Sequence, residues 1–393
     1  MDKPLLDLYA DYLIASFGPT TATGLSRLLG AGLSHDKITR FLAGEVMTSQ
    51  NLWQIVKPLV RRVQSENAVL VIDDSISHKP HTDASELIGW HYDHTTGTSV
   101  KGINFLTTLY CTKEVSLPVA FALVEKDEAF TDKKTGKPKR RASVSKNEHY
   151  RSMLRACVKN QMPFRYVLND VWFAAADNMK LIKTELNKDF VMPLKSNRNV
   201  AVSGPDKKDG HYQAVQTLPL EHGKAQAVYL EQVGFPLLLV KQVFTNKDTS
   251  QGLLYLVSSD MTLDGDQMMR LYQENKSQER WQVEEYHKSL KQNASLACSP
   301  TRTKRTQTNH FFVSLCAFVK LETLKIKTAC SHFALKQKLY LAALQAAFAG
   351  RLRPVADTSA KQPIRRKLCV TSVSYPGFLD RREAQRWIPE APA

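Results

Sequence analysis

The sequence predicts an α/β fold: a mixed sheet with flanking helices, an all-β insertion, and helical regions at both ends. Three observations predict it. From residue 68, short runs rich in β-branched and aromatic residues alternate with helix-periodic segments. The stretch 197–262 carries strand-like runs separated by Gly, Asn and Asp turns. Residues 1–65, and those after about 263, place apolar side chains at helical spacing.

The elements follow in order. Leu5, Leu6, Tyr9, Leu13 and Ile14 mark a first helix. In TATGLSRLLGAGLSHDKITRFLAG, Thr20 or Thr21 is placed to cap one short helix, Gly30 and Gly32 break it, and Ser34 caps a second. Two short helices around a Gly-containing turn are compatible with a helix-turn-helix DNA reader, with Lys37 and Arg40 outward, though the pattern is loose and a plain helical bundle without DNA contacts fits it better. AVLVI (68–72) is a buried strand ending at Asp73-Asp74, and INFLTTLYC and LPVAFALVE are two more strands. A polar loop, TDKKTGKPKRRASVSK, holds seven basic residues between 133 and 146. NEHYRSMLRACVKNQ is a helix, FRYVLN a strand ending at Asp170, ADNMKLIKTEL a helix and DFVMPLKS a strand. VYLEQV, FPLLLVKQVF and GLLYLVSSD are the strands of the insertion. A long helix is expected from about 265 to 292, then two more over NHFFVSLCAFVKLETLKIKT and ALKQKLYLAALQAAFAG. The division is thus 1–65, helical, with DNA binding as one reading; 66–196 with 263–350, the α/β domain; 197–262, the β-rich insertion; and 351–393, a basic, poorly ordered tail.

Composition narrows the function. The chain has 393 residues, 54 Lys and Arg against 38 Asp and Glu, and a net charge of +16. That balance favours a polyanionic partner or an acidic membrane surface. The apolar content excludes full disorder. Six widely spaced cysteines without a CxxC pair exclude a disulfide scaffold and argue against a zinc ribbon, with reduced thiols in a cytoplasmic setting the simpler reading. HFFVSLCAFVK falls far short of the ~20 residues of a membrane span, and the N-terminus lacks the pattern of a signal peptide.

Three acids stand where chemistry would want them. Asp73 and Asp170 end apolar strands, the usual position of ligands in open α/β sheets. Glu284 lies on the long helix. At about 100° per residue, Arg280, Glu284 and Lys291 fall near 0°, 40° and 20°, one stripe with an acid between two bases. Val283, Tyr286 and Leu290 fall on another face that suits packing on the sheet, and Glu285 points about 100° from Glu284, towards solvent. Three carboxylates from three elements suit hard cations such as Mg²⁺, and a pair of ions ~3.5–4 Å apart supports phosphodiester cleavage. Neighbouring side chains on a strand face opposite ways, so Asp73 and Asp74 cannot both line the same crevice unless the strand has ended, and the alternation leaves open which of them is the first ligand.

VLVIDDSISHKPHT, YVLNDVWFAAADNMK, the β-rich insertion and ERWQVEEYHKSLKQ resemble the DDE transposases of bacterial insertion sequences, in the cut-and-paste group with an inserted β-domain in a ribonuclease-H-like core. The resemblance covers roughly residues 1–350. It implies Asp73, Asp170 and Glu284 as catalytic ligands of two Mg²⁺ ions, with Mn²⁺ as a substitute, and Arg280 and Lys291 as DNA contacts. It further implies binding to terminal inverted repeats and target DNA, strand cleavage and transfer through a hairpin intermediate, and a homodimer acting in trans. Ser277 stands where the family pattern has Tyr. A catalytically decayed DNA-binding protein, and a nuclease of the same fold without strand transfer, are the rival readings.

Other clusters carry two readings each. His78 with His81 and His91 with His94 have a spacing that zinc accepts, or they belong to a polar segment near DNA. The basic loop 133–146 and Thr301 to Arg305 are DNA tracks or solvated charge. His287 and Lys288 follow the helix acids, the Lys facing phosphate or solvent. Trp172, two residues past Asp170, holds a displaced base by resemblance, or serves the core or a lid.

Overall fold

The structure, a computed structural model, describes residues 2–93, 96–133, 136, 138–245, 249–274 and 280–352. Residues up to Leu344 form one compact unit; from Gln345 onward the chain is a second unit, of which only the end of the last helix is described.

Four helices come first: α1 (Lys3–Ala15), α2 (Ala22–Leu28), α3 (His35–Leu42) and α4 (Ser49–Val63). Each starts where a polar side chain meets backbone N–H groups that have no helical partner. Asp2 accepts from the N–H of Leu5, Thr21 from Gly24 and Ser34 from Lys37. Of the two threonines that the sequence offers for α2, Thr21 is the cap.

The sheet begins with β1 (Val69–His78), β2 (Gly89–Asp93), β3 (Thr98–Cys111) and β4 (Ser116–Leu123). A small hairpin follows, β5 (Glu128–Thr131) with β6 (Pro138–Arg141), then α5 (Lys146–Lys159), β7 (Tyr166–Asn169), α6 (Ala176–Lys180) and β8 (Asp189–Leu194). Next come β9 (Asn199–Ala201), α7 (Gly204–Lys208), β10 (Gln213–Ala214), β11 (Ala225–Leu230), β12 (Leu237–Thr245) and β13 (Gln251–Ser258). Four helices close the described chain: α8 (Gly265–Glu274), α9 (Arg280–Gln292), α10 (Lys304–Thr328) and α11 (His332–Leu352).

Among the described residues one sheet runs in the order β10-β9-β11-β12-β13-β8-β7-β1-β3-β2, with β4 also on β3. β1, β3 and β4 pair antiparallel, whereas β7 lies parallel to β1 and β8 parallel to β7. Parallel neighbours need a crossover, which α5 and α6 supply. The runs that cross this centre are buried on both faces and therefore read as continuous apolar sequence, as in Val69–Ile72 and Tyr166–Leu168.

Several expectations shift. β1 does not end at Ile72; it runs on to His78 because β3 supplies a partner for every residue of DSISH. The polar loop contains the β5–β6 hairpin. The strands of 197–262 join the main sheet edge through β13 on β8, and α7 interrupts them. The long helix appears as α8 and α9, with residues 275–279 outside the described residues. The tail from 353 also lies outside them.

The N-terminal helices are fastened to α10 by buried polar groups. Asn309 accepts from the Met47 N–H at 2.8 Å and donates to the carbonyls of Leu42 and Glu45 at 2.9 and 3.1 Å. His310 Nε2 lies 3.2 and 3.3 Å from the carbonyl oxygens of Ser295 and Leu296, and its Nδ1 lies 3.3 Å from the Tyr9 hydroxyl. Carbonyls only accept, so Nε2 carries the proton and Nδ1 accepts from Tyr9. Burial, aided by the charge of Lys79, pushes the His310 pKa from 6.5 down to about 4. The unfolded chain therefore binds more protons than the native one between those two values, and stability falls as pH drops through that window. Urea unfolding at about pH 7 and about pH 4.5 should show His310→Gln losing some 2–3 kcal/mol less than the wild type on acidification. Equal losses would mean that His310 is not held neutral.

Candidate active site

The geometry of the site follows from the register of β1. Directly opposed residues of an antiparallel pair share a face. Asp73 lies opposite Thr107, Ser75 opposite Phe105 and Ser77 opposite Ile103. This face meets α9: Lys291 donates to the Ser75 hydroxyl at 3.1 Å, and His287 Nε2 lies 3.4 Å from the Asp73 carboxylate. The His287 ring also sits edge-on to Phe105, 5.7 Å between centres.

Asp74 faces the other way. Its carboxylate accepts from Asn104 Nδ2 at 2.9 Å and from the Lys146 ammonium at 2.6 Å. Because β1 continues as regular strand to His78, Asp73 and Asp74 cannot turn to the same side.

Asp170 is the first residue past β7. Ile72 is registered with Asn169, so Asp170 stands level with Asp73 on the neighbouring strand. Its carboxylate caps the short helical turn Val171–Phe173, accepting from the Trp172 N–H at 2.8 Å. Trp172 itself is 51% exposed, which removes the core reading, and its ring carries Lys146 and Lys195 at 5.8 and 6.0 Å.

Glu284 is exposed on α9, while Val283, Tyr286 and Leu290 on its other face are buried, as the helical spacing predicts. Asp73, Asp170, Glu284, His287, Lys288 and Lys291 all line one open cleft of about 630 Å³; Asp74 lines it too, with its carboxylate held by Lys146 and Asn104. Partial burial pushes the Lys291 pKa down, and Asp93 nearby opposes that shift. The side chain of Arg280, and Ser277 as a whole, lie outside the described residues.

The donor chemistry of this cleft, three carboxylates, fits a hard divalent cation. The spacing does not yet close: among the described residues no three His, Cys, Asp or Glu side chains are grouped tightly enough to hold an ion. The same finding covers His78, His81 and His91. His78 faces Asp93 at 3.6 Å, His94 lies outside the described residues, and burial, together with Lys126 and Lys146, pushes His91 down to about 4.

Other groups sit differently from expectation. Glu285 is half-buried, beside Glu322 and His332 in a small pocket behind α9. In the basic loop, Lys139 pairs with Asp132 and Arg141 with Glu128, and Lys134 and Lys137 lie outside the described residues. Lys304 is bound to Glu125 at 2.5 Å and Glu86 at 3.5 Å, which raises its pKa. Sequence reasoning missed the partners of the two aspartates, His287 for Asp73 and Lys146 for Asp74, because both come from distant elements. An acid followed by a second acid on a strand signals only that one of them needs a counter-charge.

With this geometry in view, the comparison with known families is direct. The profile described as DDE superfamily endonuclease matches residues 3–227, more than half of the 393-residue chain. The chain belongs to that family, which makes it a nuclease-type enzyme. The matched region contains Asp73 and Asp170 and stops before α9. No curated protein matches the chain. Among the described residues no helix is long and apolar enough to cross a membrane.

The Asp74–Lys146 pair is only 19% and 28% exposed, so it should contribute more than a surface ion pair. A double-mutant cycle with Asp74→Asn and Lys146→Met should return a coupling of about 1–2 kcal/mol in urea unfolding. A coupling near zero would show that the two charges are independently solvated.

Proposed function

We propose that this chain is the transposase of an insertion sequence, cutting DNA at the ends of its element and joining them to a target. The observation that carries the reading is the cleft in which Asp73, Asp170 and Glu284 stand together beside Lys291, in a chain of net charge +16. The role of Asp73 is supported over that of Asp74 by the latter's engagement with Lys146 and Asn104.

In this reading Asp73, Asp170 and Glu284 hold Mg²⁺ or Mn²⁺, which when bound supplies an activated water and stabilises the leaving oxygen of a phosphodiester. Asp73 is held rigid by the apolar half of β1, and Asp170 by its cap on the turn that follows. Glu284 approaches from α9, whose buried face fixes the helix against the sheet. Lys291, tethered to Ser75, faces a DNA phosphate rather than a metal, and Arg280, about three turns earlier and with its side chain outside the described residues, is assigned the same role by the resemblance alone. Trp172, with Lys146 and Lys195 over its ring, offers a surface for a displaced base. The helical segment 1–65 reads the inverted repeats with α3, where Lys37 and Arg40 are exposed, and a homodimer brings paired ends together.

Asp73→Asn, Asp170→Asn and Glu284→Gln should each lower metal-dependent cleavage of repeat-end DNA by at least about a thousandfold. Binding of that DNA should remain within a few-fold of wild type, since affinity comes from basic contacts. Asp74→Asn should keep most activity. An active Asp73→Asn with a dead Asp74→Asn would reverse the assignment, and cleavage without joined products would leave a nuclease.

Binding to DNA of any sequence should weaken steeply with salt, because each neutralised phosphate releases counterion. Lys139→Gln, Arg140→Gln and Arg141→Gln together should flatten the slope of log K against log salt by about 1–3. An unchanged slope would return the β5–β6 hairpin to solvated charge.

A further inference from the structure

The sheet face that carries Asp73 continues beyond the cleft. Asp73 shares its face with Thr107, Phe105 and Ile103 of β3, hence also with Lys101 and Ser99 by strand alternation. On the far side of β3, Trp90 lies opposite Lys101 and Tyr92 opposite Ser99. The edge strand β2 therefore presents two large rings on the same face as Asp73. They are 62% and 57% exposed, while their neighbours on β2 are half-buried.

The surroundings are polar and cationic. Tyr92 reaches the wall of the cleft. Lys126 donates to the Trp90 carbonyl at 2.6 Å, and Lys101 stands across the strand from Trp90. A protein partner of ordinary chemistry would meet an apolar patch with few charges at its centre. Exposed rings set among lysines match the pattern that holds single-stranded nucleic acid. Rings two residues apart on a strand are separated by about 6.8 Å, twice the ~3.4 Å rise per base of one DNA strand.

We propose that Trp90 and Tyr92 form a stacking platform for unpaired bases of a DNA strand leaving the cleft, with Lys101 and Lys126 beside its phosphates. The platform rests on the reading that the cleft holds a DNA end. Lys101 lies six residues along β3 from Thr107, about 20 Å of strand, so the bases concerned lie several steps away from Asp73.

The experiment is binding in chelator, where no cleavage can occur, with two DNAs of the same end sequence: a blunt duplex, and a duplex with a single-stranded tail carrying 2-aminopurine. The wild type should bind the tailed DNA more tightly and quench the tail fluorescence. Trp90→Ala with Tyr92→Ala should weaken tailed binding about tenfold or more and abolish the quench, while blunt binding, to which only Tyr92 at the cleft wall contributes, should fall no more than about twofold. Trp90→Phe with Tyr92→Phe should restore most of the tailed binding, which separates stacking from a folding defect. Tailed binding that survives the alanines, or that falls equally with blunt binding, would overturn the platform while leaving the cleft reading intact. A shift of the DNA-free protein to smaller species on sedimentation of the alanine variant would assign the rings to an interface between copies and overturn it too. A wild type that binds neither DNA would remove the cleft reading itself.

Discussion

The site depends on the unequal company of one strand. β1 has β7 on one side only as far as Ile72, and β3 on the other as far as His78. The doubly flanked half is apolar and buried, and fixes the strand in the core. The half flanked on one side carries Asp73 and Ser75 into an opening left by the end of β7. Asp170 marks that end. A longer β7 would close the cleft, and a shorter β3 would leave Asp73 on a loop.

The second wall, α9, is held from behind. Ser289 on α9 lies 2.9 Å from His332 Nδ1, whose Nε2 lies 2.7 Å from Glu322. Glu322 is 1% exposed and also takes the Ser116 N–H at 2.9 Å and the Lys325 ammonium at 3.0 Å. These hydrogen bonds lower its pKa against the opposing effect of burial. A buried carboxylate without such partners would be strongly destabilising, so α9, α10, α11 and β4 are tied to one arrangement. Glu284 faces the cleft from the opposite side of the helix that this network grips.

Charge is divided along the same line. Lysines and rings gather where the sheet face and the cleft meet solvent, at Lys291, Trp172, Trp90 and Tyr92. Elsewhere the excess of basic residues is partly spent on acids, as at Lys304 with Glu125 and Lys320 with Asp7 and Asp11. Net charge alone does not locate a binding surface; the basic groups next to the cleft are what a polyanion would meet.

The sequence by itself determined what local periodicity can encode. Apolar runs that stop at Asp73 and Asp170 identify where two strands leave the core, although only the second ends there, and the 3.6-residue repeat separates Glu284 and Lys291 from the buried Val283, Tyr286 and Leu290. Tertiary structure decided everything that needs a partner from afar. The continuation of β1 through DSISH depends on β3, the short edge strand β2 has too little sequence to announce itself, and Asp74 is distinguished from Asp73 by Lys146, 72 positions away. Glu285 reads as a solvent residue on a helical wheel and is half-buried, because α10 and α11 pack where an isolated helix would meet water. Periodicity is a property of one segment, whereas a counter-charge, a strand's length and a helix's covered face are properties of its neighbours.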